Sequence, residues 1–428
     1  MIDINKLKEN KEEYVNLLKK RNSDYEEEFN KILKFDDKKR ELITENNKLK
    51  HEKNEKSKLI GKFKREGKNE KADEIIDKMS SMNKNISDND KKIKDLEKKI
   101  NNILYYIPNI PDKDVPSGDK SNNEVLHVKG EKPVFDFKFK DHVELADNLN
   151  LIDYERGAKL GGNGFWIYKN NGSRLEWALL NYFIDQHVKD NYEFILPPHI
   201  LLNKCGFTAG QFPKFKDDVF FIADKENEEQ FLLPTAETAL VNLHRNEIMS
   251  EKQLPRKYFA FTPCYRKEAG SYRKEERGMI RGHQFNKIEM FQLTKPENSD
   301  NAFEEMVSKA ESLVQALGLH YRLTKLAAGD VSFAMSKTYD IEVWIPSMKI
   351  YKEISSISNA RSFQALRGNI RYKNSEMNEN FNVHTLNGSG LATSRLLPAI
   401  IEQNQNKDGS VTIPKILRPY MQGEKRLV

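Results

Sequence analysis

The stretch that decides the fold runs from Tyr258 to Leu293: Y-F-A-F-T-P-C-Y-R-K-E-A-G-S-Y-R-K-E-E-R-G-M-I-R-G-H-Q-F-N-K-I-E-M-F-Q-L. Its ends alternate in the period of a strand, with Tyr258, Ala260 and Thr262 set against Phe259 and Phe261 at the start. Between the ends lies a polar, glycine-containing loop crowded with Arg273, Lys274, Glu275, Glu276 and Arg277. The pattern predicts a strand, a long charged loop and an antiparallel strand. Side chains two apart share a face, about 7 Å per pair. Arg281, His283, Phe285, Lys287 and Glu289 therefore line up on one side, and Ile280, Ile288 and Met290 on the other. The first strand ends in Arg266 and Glu268, again one face. A polar row of this kind is either the solvated outer face of a hairpin or the floor of a ligand site, because buried groups of these types must be paired or bound. As a floor it offers arginine for phosphate or carboxylate, an aromatic ring for a base, and a carboxylate for an ammonium.

Outward from this stretch, 428 residues predict two or three domains. Basic residues exceed acidic ones by only 71 to 65, so overall charge does not argue for nucleic acid. Residues 1–100 nevertheless hold 28 Lys/Arg against 23 Asp/Glu, five of the six net positive charges. Two cysteines, Cys205 and Cys264, suit a reducing compartment and argue against a disulfide scaffold or a cysteine-rich zinc site. The opening M-I-D-I-N-K-L-K-E-N has no apolar signal core, and no run approaches the ~18 apolar residues of a membrane span. A cytoplasmic protein is expected.

Ala72, Ile75, Met79, Met82, Ile86, Asn89, Ile93, Leu96, Ile100 and Ile103 alternate in steps of three and four. That is a coiled-coil seam with Asn89 as its polar interruption. The segment Asp24–Phe63 supplies Phe35, Leu42 and Leu49 as a weaker stripe, and Gly61 and Gly67 permit a reversal. An antiparallel two-helix hairpin of roughly 40 residues per arm, on the order of 60 Å long, is expected. Taken alone, it reads as a dimerisation coiled coil or a rod. Pro108, Pro111, Pro116 and Gly118 form a linker, so the expected domains are 1–108 and 109–428.

Further on, Leu175–Val188 has the pattern of a core helix and precedes a strand-like F-I-L-P-P-H-I-L-L. In L-L-P-T-A-E-T (232–238), Thr235 and Glu237 fit a ligand-binding turn or simply a helix start, with threonine as cap and the acid in the first turn. In I-Y-K-E-I-S-S-I-S-N (350–359), Glu353 is a hard oxygen donor suited to Mg²⁺ and Ser356 adds a hydroxyl. Their spacing of three breaks strand parity, so a bend is needed if both face one ion. F-N-V-H-T-L-N-G-S-G-L-A-T-S-R-L-L-P-A-I-I-E (381–402) reads as strand, tight N-G-S-G turn, then helix. The helix N-terminus offers amide donors to anions. Arg395, one turn after Leu391 on an otherwise apolar helix, must be paired or ligand-bound, and Pro398 predicts a kink.

R-K-E-A-G followed by R-G-M-I-R-G-H-Q-F-N-K-I-E resembles the second signature motif of class II aminoacyl-tRNA synthetases, in the form used by seryl-tRNA synthetases. The helix–strand–proline order around Pro197 resembles the first motif, which builds the dimer interface in that family, and 381–402 resembles the third. The likeness extends over nearly the whole chain. It implies an α+β fold: an antiparallel-sheet class II catalytic domain preceded by the helical arm, whose lysines grip the long variable arm of tRNA. It also implies serine activation by ATP with Mg²⁺ and no zinc, transfer to tRNA(Ser) and by expectation tRNA(Sec), and a homodimer. In the family's pattern Arg266, Lys267, Glu268, Arg281, Gly282, Phe285, Glu353, Ile354, Ser355, Ser356 and Arg395 serve ATP, with Glu353 and Ser356 on the metal. Thr235, Ala236, Glu237, Arg266, Glu289, Asn387 and Ser389 serve serine, and Arg266, Arg281 and Arg395 carry catalysis. F-T-A-G-Q-F-P-K-F (207–215) resembles a mobile loop near the acceptor end. His283 is expected to orient the loop. A carrier-protein ligase paralogue would lack the long arm, and an inactive paralogue would have lost Arg266, Glu353 or Arg395.

Overall fold

The computed structural model describes residues 1–223, 229–268 and 278–428. Ala269, Gly270 and the charged run from Arg273 to Arg277 lie outside the described residues. The chain divides into two compact units, one formed by Ile2–Asn16 with Asp24–Ile107, the other by Met1, Leu17–Ser23 and Pro108–Val428.

In the first unit two long helices, α1 (Glu26–Arg65) and α2 (Asn69–Leu104), pack antiparallel. Every member of the α2 stripe from Ala72 to Ile103 is buried or half-buried, as its three-four spacing predicts. The seam of α1 differs from the expected one. Phe35, Leu42 and Leu49 are only half-buried, while Phe29, Ile32, Asp36 and Asn46 are fully buried. Two polar groups hide there because each has partners. Asp36 meets Lys8 at 3.2 Å, Lys39 at 3.2 Å and Arg40 at 2.7 Å. Asn46 donates to Asp90 Oδ1 at 2.8 Å, one residue from the buried Asn89. The polar interruptions of both helices thus share one level, which fixes the register of an otherwise repetitive seam. Gly61 is helical, so the reversal uses Gly67 alone, at φ +73°.

The second unit is built on an eight-stranded sheet of β1 (Glu124–Lys129), β2 (Glu193–Ile195), β3 (Arg256–Tyr265), β4 (Gln284–Thr294), β5 (Tyr321–Lys325), β6 (Lys337–Ile345), β7 (Ile350–Arg361) and β8 (His384–Ala392). Their spatial order is β1-β5-β6-β7-β8-β4-β3-β2, antiparallel throughout except for the edge pair β3–β2. The predicted strand–loop–strand unit is the β3–β4 pair, with Lys287 opposite Thr262 and Glu289 opposite Ala260. Strand β4 begins only at Gln284, so Arg281 and His283 precede it and do not obey its parity. Helices α3 (Asn170–Lys189), α6 (Ser299–Ala316) and α8 (Thr393–Gln403) contribute to one apolar cluster that holds Ile280, Ile288 and Met290. Three shorter helices, α4 (Asn203–Ala209), α5 (Glu237–Leu240) and α7 (Phe363–Gly368), lie between these in sequence.

Two local readings are corrected. The segment N-G-S-G is no turn; strand β8 runs straight through it. Its glycines are required by what presses on the strand: a Cβ on Gly388 would come within 3.3 Å of Met306 on α6, and one on Gly390 within 2.3 Å of the His187 ring on α3. Leu391 belongs to β8, at φ +79°, and not to the helix carrying Arg395. Pro398 lies inside α8 as expected. The proline-rich stretch after α3 separates β2 from a short strand, Ile200–Leu202, that joins a different sheet.

Candidate active site

Strands β4, β7 and β8 and the turn before α5 border one cavity of about 550 Å³. Thr235, Glu237, Arg266, Glu268, Arg281, Lys287, Glu289, Glu353, Ser356, Asn387 and Ser389 all line it. A smaller recess shares Arg266, Glu268, Arg281 and Glu353 with the cavity, and adds Gly282, Phe285, Ile354 and Arg395. Residues predicted from segments more than 150 positions apart are thereby brought together.

One end is a buried carboxylate pocket. Glu289 and Ser389 are cross-strand partners, as are Phe291 and Asn387, so Asn387 and Ser389 stand beside Glu289 on one face. The Asn387 amide donates to Glu289 Oε1 at 3.2 Å and to Glu237 Oε2 at 3.3 Å. Gln364 on α7 donates to the other oxygen of Glu237 at 2.6 Å. Burial, and then the neighbouring Glu289, push the Glu237 carboxyl up to about 7. Thr235 accepts from the Glu237 amide at 3.3 Å and lines the cavity, while the cap position of α5 falls to Ala236.

Lys287 is placed on this face by its parity but is assigned no role in the site by the sequence reading. Its ammonium donates to Thr235 Oγ1 at 2.8 Å and forms a close ion pair with Glu289. The signal was its place between Phe285 and Glu289 on the shared strand face.

At the other end arginines meet acids. Arg281 clasps Glu268 through Nε at 2.7 Å and Nη2 at 2.6 Å, with Glu268 in the left-handed region at φ +50°. Arg395, the arginine that had to be paired, donates to the Glu353 carbonyl at 2.9 Å and to Ile280 O at 3.2 Å, and meets the Glu353 carboxylate at 3.4 Å. Arg266 is common to both ends. It donates to Pro234 O at 3.1 Å and lies 5.2 Å over the Phe285 ring.

The bend required by Glu353 and Ser356 is a β-bulge. Pairing passes from Ile341–Ser355 to Glu342–Glu353 and skips Ile354, which restores parity and turns Glu353 and Ser356 to the same cavity. Asp340, opposite Ser356, was missed by the sequence reading. It is 7% exposed, lines the cavity, and its Oδ1 accepts no hydrogen bond. Burial and the charge of Glu353 raise its carboxyl well above the ordinary range. An orphaned buried carboxylate oxygen beside a second acid and a hydroxyl fits a hard divalent cation. Among the described residues no three His, Cys, Asp or Glu side chains form a metal cluster on their own.

Three expected contacts are absent from the cavity wall. Lys267 is exposed, and its amide bonds to Asp218 O. Ala236 is buried in the core beside Leu240 and Phe291. Ser355 turns its hydroxyl to the Ser389 carbonyl at 2.5 Å, because successive side chains of a strand point to opposite faces and Ser356 takes the cavity side. His283 also leaves the face assigned to it. Its Nδ1–H donates to the Arg266 carbonyl at 3.0 Å and its ring packs against Phe165, holding the end of β3 in place.

Residues 1–111 match the family model described as the seryl-tRNA synthetase N-terminal domain, and residues 219–404 match the tRNA synthetase class II core domain (G, H, P, S and T). The chain is 60% identical to serine–tRNA ligase 2 of Clostridium acetobutylicum over 401 residues, covering 93% of this chain and 94% of that protein. It is 47% identical to the serine–tRNA ligase of Bacillus subtilis over 397 residues, 92% of each. The seryl-tRNA synthetase of Pyrococcus horikoshii, solved in complex with ATP, superposes with a TM-score of 0.92 at 34% identity, over 100% of this chain and 99% of that one. Arm, sheet, cavity and relatives agree: the chain belongs to the seryl-tRNA synthetases, the serine–tRNA ligases among the class II aminoacyl-tRNA synthetases.

Proposed function

We propose that the cavity carries both half-reactions. A serine carboxylate oxygen attacks the α-phosphorus of ATP and pyrophosphate leaves. A terminal ribose hydroxyl of tRNA(Ser) then attacks the seryl carbonyl and AMP leaves. The observation that carries this reading is Arg266, which lines the carboxylate pocket and the nucleotide recess alike. From there its guanidinium reaches the serine carboxylate and the α-phosphate together. Glu289 and Glu237 receive the ammonium, and Thr235, Asn387 and Ser389 close the pocket. Glu268 meets the adenine amino group beside the Gly282 backbone, and Phe285 stacks on the base. Arg281 and Arg395 exchange their present acid partners for the polyphosphate.

Glu353 and Ser356, with Asp340 beside them, would hold Mg²⁺, which would neutralise phosphate charge when bound. No side-chain nucleophile is needed; the chain's part is positioning and charge stabilisation. The lysine-rich arm suits phosphate contacts with the tRNA, whose long variable arm is a feature expected of tRNA(Sec) as well. Residues 1–108 are read as the tRNA-binding domain and 109–428 as the catalytic one. Trp177, Phe194, Leu196 and Ile200 are exposed apolar residues on and after α3, which supports a homodimer across that face. No described helix is long and apolar enough to cross a membrane, and two unpaired cysteines suit the cytoplasm.

Serine-dependent exchange of pyrophosphate into ATP, followed by charging of tRNA(Ser), tests the reading. Exchange driven better by another amino acid sinks it.

A further inference from the structure

A buried acid outside the cavity touches one strand and one helix of the nucleotide site. Glu176 lies on α3, is 2% exposed, and takes its hydrogen bonds from two neutral donors. Asn286 Nδ2 donates to its Oε1 at 2.8 Å, and the Thr393 hydroxyl donates to the same oxygen at 2.6 Å. Asn286 sits on β4 between Phe285 and Lys287, facing the opposite way. Thr393 is the first residue of α8, two before Arg395. The second oxygen, Oε2, has no hydrogen bond of ordinary geometry, although the Tyr168 phenol lies beside it.

We propose that Glu176 is a positioning residue for ATP, setting the spacing between the Phe285 strand and the Arg395 helix. The inference rests on the nucleotide-site reading above. A carboxylate without a cationic partner is costly to bury, and burial pushes this one up to about 7. A core with only packing to satisfy would do better with an apolar side chain. What the acid supplies is one acceptor shared by two elements. The Thr393 hydroxyl has a single proton and two acceptors, Glu176 Oε1 at 2.6 Å and Asn286 O at 3.1 Å. Glu176 holds the shorter of the two contacts, so it sets the start of α8 against α3. Both recess-lining groups, Phe285 and Arg395, follow from where those two donors are held.

Pyrophosphate exchange on the full-length enzyme gives KM for ATP and for serine separately, with circular dichroism to confirm folding. Glu176→Ala is expected to raise the ATP KM about tenfold, the scale of lost hydrogen bonds to a charged group, with the serine KM changed less than about twofold. Glu176→Gln keeps an acceptor oxygen and should stay within about threefold of wild type. Thr393→Val removes one of the two hydrogen bonds to Glu176 and should raise the ATP KM in the same direction but less than Glu176→Ala, and the double variant should be no worse than Glu176→Ala alone. An unchanged ATP KM, or equal shifts for ATP and serine, overturns the proposal. If Glu176→Ala does not fold, Thr393→Val decides by the same criteria. Phe285→Ala and Arg395→Ala run alongside: if they weaken ATP and the Glu176 and Thr393 variants do not, the positioning role alone is wrong. If none weakens ATP, the nucleotide site itself has been misread.

Discussion

In the carboxylate pocket Glu289 holds the Lys287 ammonium, while Glu237 has only the amides of Gln364 and Asn387. If this pocket takes the serine ammonium as proposed, the ammonium meets one acid already neutralised and one partly protonated near pH 7. Bound there, a cation lowers the Glu237 pKa, so serine binding should release a fraction of a proton at pH 7. Serine affinity should weaken as pH falls below about 7, where the proton must be displaced. Titration calorimetry in buffers of different ionisation enthalpy measures the release; a buffer-independent heat removes Glu237 from the ammonium. Serine differs from alanine by its hydroxyl, and pockets that hydrogen-bond such a group discriminate by about 10⁴ or more. Glu289 is proposed to accept from the serine hydroxyl as well as the ammonium, so Glu289→Gln should weaken serine far more than ATP and narrow the serine-to-alanine ratio in pyrophosphate exchange. An unchanged ratio would take Glu289 off the hydroxyl.

Among elements, β7 shows how a strand can turn two side chains at odd spacing to one cavity. With Ile354 bulged out, Glu353 and Ser356 face one cavity. Glu353→Gln removes a charge from that hard-cation position and should cost activity that added Mg²⁺ partly restores; zinc restoring it instead would refute a magnesium site. The same strand shows what was readable. Parity gave Phe285, Lys287 and Glu289 correctly because β4 pairs with β3 in unbroken register from Gln284 to Leu293. Arg281 reaches the same cavity although it precedes the strand, whereas parity failed for His283 and could not reveal the bulge, since a register shift belongs to a pair of strands. N-G-S-G read as a turn because its glycines answer to His187 and Met306, neighbours distant in sequence. Asp340 was illegible for the same reason: its orphaned oxygen exists only once β6 lies against β7. The α2 stripe, by contrast, was legible in full, because a heptad seam repeats within its own helix.

For the whole molecule, the catalytic motifs and the helical arm occupy separate units. Replacing Glu26–Leu104 by a short flexible linker should leave serine activation nearly intact and abolish aminoacylation of tRNA(Ser). Equal collapse of pyrophosphate exchange in a folded variant would sink that division of labour. Leu17–Ser23 must be kept, because they belong to the catalytic unit. Arg21 there donates to the carbonyls of Asn109 at 3.1 Å, Ala328 at 3.0 Å, Val331 at 2.8 Å and Met335 at 2.5 Å. The arm is therefore an insertion, entered just after Arg21 and left just before Asn109, and Arg21 clamps its two roots. Such a clamp acts on a melted arm as a crosslink does, restricting a closed loop on the order of 80 residues. The entropy withheld from the melted state is worth at most about 5 kcal/mol. An excised Asp24–Ile107 peptide should consequently melt at lower temperature than the same hairpin within the chain, and Arg21→Ala should move the intact protein's arm transition toward that of the peptide.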